Sequence, residues 1–128
     1  ERIGDQAVNI AQRAIELGRE PQLKPYIDLP RMAEKAELMV RESLDAFVNR
    51  DTALARRVCA EDDQVDALKE QVFRELLTFM MEDARTIPRA IRLILVSRFL
   101  ERVADHATNI AEMVIYMVDG KMVRHTLA

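Results

Sequence analysis

The chain has 128 residues, 49% of them apolar and 32% charged, enough for one compact domain with a buried core. A net charge of -3 with interleaved signs leaves no basic stripe for a phosphate backbone, which weighs against nucleic-acid binding. No apolar run approaches the roughly 20 residues that cross a bilayer and no signal peptide is visible, so the cytoplasm is the expected compartment.

Ala, Glu, Leu, Arg and Met abound, whereas Gly totals three and Pro four. That composition favours helix over strand, and the fold class is all-α. Cys59 stands alone in a helical pattern, so no intrachain disulfide can form. It reads as a small buried hydrophobe in a reducing compartment.

Residues 1–19 form the first predicted helix, with Ile3, Ala7, Ile10, Ala14 and Leu17 on one side. No capping residue precedes it, and the expectation is that it begins mid-helix, as the last helix of a preceding repeat within a longer protein. Pro21, Pro25 and Pro30 punctuate the next stretch, so 21–30 is expected to be a linker. A helix over 31–49 follows, with Met32, Ala36, Met39, Val40, Leu44 and Phe47 facing inward and Asp28 a cap just upstream. Asp51 caps the next helix, which runs to about Glu82 through Val58, Val65, Leu68, Val72, Leu76 and Phe79.

After a short turn over 83–86, the last helix begins near Ile87, where Pro88 fits the first turn. It ends at Gly120, a natural C-terminal cap. Short loops between long helices make neighbours antiparallel. The expected architecture is an antiparallel three-helix bundle, residues 31–128, preceded by one helix (1–20) from an earlier repeat. An exposed apolar face on that first helix would require either a fourth position in the bundle or association with another copy.

One internal repeat stands out. Glu1-Arg2-Ile3-Gly4-Asp5-Gln6-Ala7-Val8-Asn9-Ile10-Ala11 returns 100 positions later as Glu101-Arg102-Val103-Ala104-Asp105-His106-Ala107-Thr108-Asn109-Ile110-Ala111, with seven of the eleven positions identical. Glu, Asp and Asn recur in steps of four, which line one helix face. Like charges at that spacing repel by a few tenths of a kcal/mol, about 0.2–0.5, unless a cation lies beside them. On a helical wheel Glu101, Asp105, Asn109 and Glu112 lie away from the apolar arc of Val96, Leu100, Val103, Ala107, Ile110, Val114 and Val118.

A second acidic pair, Asp62 and Asp66, flanks the apolar arc of the middle helix. Two antiparallel helices that each carry a carboxylate pair would gather four carboxylates around one or more cations. Oxygen donors suit hard or borderline ions such as Mg, Mn or Fe, with Zn also possible, and Asn109 would serve as a further oxygen or an orienting group. The plainer alternative is a solvated face, with Arg98 and Arg102 at pairing distance in sequence from Glu101 and Asp105. His106 falls one position off the stripe and reads as solvent-facing, and the methionines at 80, 81, 113, 117 and 122 read as core and end-packing.

Glu101 to Glu112, followed by Tyr116, Gly120 and Val123-Arg124-His125, resembles the closing helix of the PhoU family, regulators associated with bacterial phosphate-specific transport. Glu1 to Ala11 resembles the equivalent helix of that family's first repeat, and Asp62 to Asp66 the acidic pair of its second. The resemblance runs along the whole chain. It implies two tandem three-helix bundles whose E/D-x-x-x-D motifs bind multinuclear metal clusters. Those motifs fall here on Asp62 with Asp66, Glu101 with Asp105, and Glu1 with Asp5. The resemblance also implies regulation of phosphate-starvation signalling, with the membrane phosphate transporter and a sensor histidine kinase as partners approached from the cytoplasmic side.

Catalysis is disfavoured on the residues themselves. The chain has no Glu-x-x-His of a carboxylate-bridged metalloenzyme bundle, no Gly-rich phosphate loop and no Cys-x-x-Cys. The remaining alternative is a helical protein-interaction module whose acids serve only solubility.

Overall fold

A computed structural model describes residues 2–18 and 28–120. Four helices carry those residues: α1 (Arg2–Gly18), α2 (Asp28–Asn49), α3 (Thr52–Glu82) and α4 (Ile87–Asp119). Glu1, residues 19–27 and residues 121–128, with Met122 and His125, lie outside the described residues, and Ala14 and Leu17 outside the described side chains.

α2, α3 and α4 pack on one another as the expected up-down-up bundle, and α1 rests on α4 as a fourth helix. Local chemistry sets the element ends. α2 begins at Asp28 rather than at residue 31, so it takes Pro30 into its first turn, where the N–H that proline lacks has no helical acceptor. Arg50, at a left-handed φ of 53°, ends α2. Asp51 then accepts a 3.1 Å hydrogen bond from the Leu54 N–H and opens α3, as expected from the sequence.

At the far end the buried Thr86 hydroxyl donates to the Phe79 and Asp83 carbonyls at 3.0 and 2.7 Å, fixing the 3₁₀ turn Ala84–Thr86. Pro88 sits in the first turn of α4, and Gly120 (φ 68°) closes that helix with its N–H on the Tyr116 carbonyl. An ion pair of 2.9 Å between Arg56, near the start of α3, and Asp119, at the end of α4, fixes the antiparallel register of these two rods.

The core differs from the sequence pattern on α2. Met32, Ala36 and Met39 are buried, but Leu44 and Phe47 are about half exposed, while Ser43, Ala46 and Glu42 go inside. The buried positions 32, 36, 39, 43 and 46 alternate steps of four and three, the spacing of a seam between nearly parallel rods. That seam overrides side-chain hydrophobicity. Ser43 is tolerated within it because its hydroxyl donates to the Val40 carbonyl at 2.8 Å.

On α3, Val58, Val65, Val72 and Leu76 are buried as expected, with Leu68 packed against the core. α4 buries a wider arc than the wheel suggested, adding Ala90, Leu93, Ser97, Ala104, Ala111 and Ile115, because it packs against α1, α2 and α3 at once. Its four buried alanines let the neighbouring backbones approach closely. The expected methionine packing is also corrected. Met81, Met113 and Met117 are exposed and Met80 is partly buried, whereas the fully buried methionines are Met32 and Met39 of the α2 seam.

Candidate metal centre

Antiparallel pairing of α3 with α4 brings Asp62 and Asp66 beside Glu101 and Asp105. Their mutual electrostatics show the convergence. Partial burial raises the Asp62 carboxyl from its ordinary 3.8 to about 6, reinforced by the negative charges of Asp66, Asp105, Asp63 and Glu101. Asp66 is shifted upward by burial, then by Glu101, Asp105 and Asp63, against a lowering influence from Lys69. Asp105 is raised by burial and Glu101, and lowered by His106 and Lys69. Asp62 and Asp66 are thus held in a field of like charge supplied from both helices, and Asp105 in that of Glu101.

The face lies on the rim of the bundle. Asp66 and Asp105 are exposed, and Asp62 and Glu101 are partly buried. Asp62 Oδ1 and Glu61 Oε2 are buried without a hydrogen-bond partner. Among the described residues no three Asp, Glu, His or Cys side chains form a ready-made ion cage. The residues fit a cation even so, because an orphaned buried oxygen and an elevated carboxyl both report negative charge lacking compensation.

Positive charge reaches the cluster from Lys69 of α3 and from His106 of α4. Lys69 sets its ammonium 2.9 Å from Glu101 Oε2. Sequence reasoning overlooked this lysine, although it lies only three positions beyond Asp66 and so shares its side of the helix. It also overlooked Asp63, whose charge acts on both Asp62 and Asp66.

His106 is partly buried rather than fully solvent-facing, and its charge tempers Asp105. Cys59 is half-buried, its thiol pushed up to about 11 by burial, Glu112 and Asp62, which keeps it protonated and inert. Asp5 is exposed on α1, and its sequence partner Glu1 lies outside the described residues.

A groove of about 970 Å³ runs along the α3/α4 seam from the acidic face, lined by Asp66, Lys69, Glu70, Phe73, Arg74, Ile94, Ser97, Arg98 and Glu101. A second, apolar groove of about 420 Å³ lies between α1 and α2 and is floored by Leu100 and Val103 of α4.

Long antiparallel helices whose acidic pairs share one rim define an all-α bundle with an acidic face. The PhoU domain matches residues 29–114, and the chain belongs to the PhoU family. It is 50% identical, over 98% of its length, to the phosphate-specific transport system accessory protein PhoU homolog of Aquifex aeolicus, covering 57% of that relative. To the homolog of Pseudomonas aeruginosa it is 46% identical over 98% of its length, covering 52% of the relative. The crystal structure of PhoU from Pseudomonas aeruginosa superposes with a TM-score of 0.90 at 44% identity, over 94% of this chain and 58% of that one. The chain therefore spans about half the length of the relatives it matches. No helix among the described residues is long and apolar enough to cross a membrane.

Proposed function

We propose that this chain is part of a non-catalytic regulator of phosphate uptake and phosphate-starvation signalling that holds metal ions on its α3/α4 face. The observation that carries this reading is Asp62, whose carboxyl is elevated to about 6 beside acids from both helices and whose Oδ1 is buried without a partner. The names of the relatives, accessory proteins of a phosphate-specific transport system, support the biological half of the reading.

In this proposal Asp62, Asp66, Glu101 and Asp105 supply the oxygen donors, and Asp63 adds negative charge nearby. Carboxylates can bridge neighbouring ions, which suits Fe, Zn, Mg or Mn in divalent or trivalent form. The bound ions would neutralise the repulsive face and offer open coordination positions to carboxylate or phosphate groups of a partner. Asp66 and Asp105, being exposed, put that face on the outside of the bundle. Asp5 with Glu1 would contribute to an equivalent face of the other repeat.

The partners that suit this reading are the phosphate transporter and a sensor histidine kinase, met at the cytoplasmic surface of the membrane without insertion. Self-association is a further possibility that sedimentation would measure. The competing reading, a plain helical interaction module, draws on the Lys69–Glu101 pair, which already neutralises part of the face. Metal analysis of protein purified without chelator separates the two. The expected result is stoichiometric metal in the native protein and none in the Asp62→Ala/Asp105→Ala double variant, at unchanged helicity. Equal metal content in both proteins would remove these residues from the site.

A further inference from the structure

The Lys69 ammonium is 2.9 Å from Glu101 Oε2, and its charge acts on Asp66 and Asp105 as well. It therefore sits where a metal ion would have to sit to use Glu101. A bound ion and an ammonium at one carboxylate repel each other at a few ångströms, so each occupancy weakens the other. What changes on exchange is the position of the ammonium.

The fold provides somewhere for it to go. Its side chain is 39% exposed on a flexible four-carbon stem. The α3/α4 groove opens directly beside it, with Glu70 and Arg74 on the same helix and Arg98 opposite. Glu70, which pairs with the exposed Arg74 at 3.5 Å, adds negative charge to that groove.

We propose, on the premise that the acidic face takes up cations, that Lys69 is a tethered competitor: it holds Glu101 while the face is empty, and an incoming metal ion displaces it into the α3/α4 groove. Loading then does two things together. It fills the acidic end of the seam with metal and moves one positive charge along the groove away from it. The lysine also sets a threshold, because an ion must outcompete an ammonium already in place.

The test is a Mn²⁺ titration of the chelator-treated native protein, Lys69→Met and Lys69→Arg by calorimetry, with circular dichroism to verify folding. Removing the competing charge is expected to tighten Mn²⁺ binding about tenfold in Lys69→Met, whereas Lys69→Arg stays at the native affinity or below it. In parallel, an amine-reactive reagent followed by peptide mass spectrometry reads the native protein directly. Lys69 is expected to react several-fold faster with Mn²⁺ present, while Lys35 on α2 is unaffected. If Mn²⁺ binds the native protein and Lys69→Met equally, or binds without changing Lys69 reactivity, the exchange is overturned and the metal centre stands. If Mn²⁺ binds none of the three proteins, the metal centre and the exchange both fall.

Discussion

Glu42 of α2 is buried, and Arg57 of α3 reaches it from solvent, with Nη2 at 2.7 Å from Oε2. The same guanidinium lies 3.8 Å from Glu61. One exposed cation thus serves two carboxylates, and neither oxygen of Glu42 has a well-aligned hydrogen bond. A buried charge that loses a counter-ion is costly, whereas removal of both partners is often neutral. Arg57→Met should therefore destabilise the bundle by about 3 kcal/mol in urea denaturation, and Glu42→Met/Arg57→Met should recover most of that loss.

Asp62 gives stability a pH dependence. Its carboxyl rises from 3.8 to about 6 in the folded chain, so between those values the folded state binds the proton more tightly than the unfolded one. Stability of the metal-free protein consequently falls as pH rises through this window. Asp62→Asn should flatten the fall and raise the Tm of chelator-treated protein at neutral pH. The gain should be small, because the side chain is only partly buried and solvent screens its neighbours' charges. A variant with an unchanged pH profile would show that Asp62 is not the group responsible.

The same shift governs cation uptake. Metal ions compete with protons for carboxylate oxygens, and Asp62 holds its proton up to about pH 6. Mn²⁺ affinity should drop steeply as pH falls through 6, and binding at pH 6 should release protons, measurable by calorimetry in buffers of different ionisation enthalpy. Proton release that is the same in Asp62→Asn would assign the titration elsewhere.

Arg50 occupies a left-handed conformation, φ 53°, at the α2–α3 corner. A side chain there costs roughly 1–2 kcal/mol that glycine avoids. Arg50→Gly loses part of that advantage to the greater freedom of an unfolded glycine. A net stabilisation of about 0.5–1 kcal/mol is expected, read as a higher urea midpoint at constant m-value.

Which parts were legible in the sequence follows from the range of the forces involved. Asp51, Pro88 and Gly120 act within a turn of their own positions, so the ends of α3 and α4 could be read from composition alone. The acidic pairs were legible for the same reason, since steps of four along a helix need no tertiary knowledge. Leu44 and Phe47 were misassigned to the core because hydrophobicity was allowed to decide where the seam between rods decides instead. Lys69 was missed because its partner is 32 positions away on another helix. The exposed methionines Met81, Met113 and Met117 belong to the same class of error, since apolar character alone does not state which neighbour is present.

Among the described residues, α4 is the one helix that touches all three others. It carries Glu101 and Asp105 on one flank, while Leu100 and Val103, on its adjoining turns, floor the groove that α1 borders. Close-packed interiors do not absorb displacement locally. Were cations to draw its carboxylates toward α3, any roll of this rod would be felt where α1 is seated. The shared rod is thus the axle of the bundle, a route by which a change at the acidic rim would reach α1.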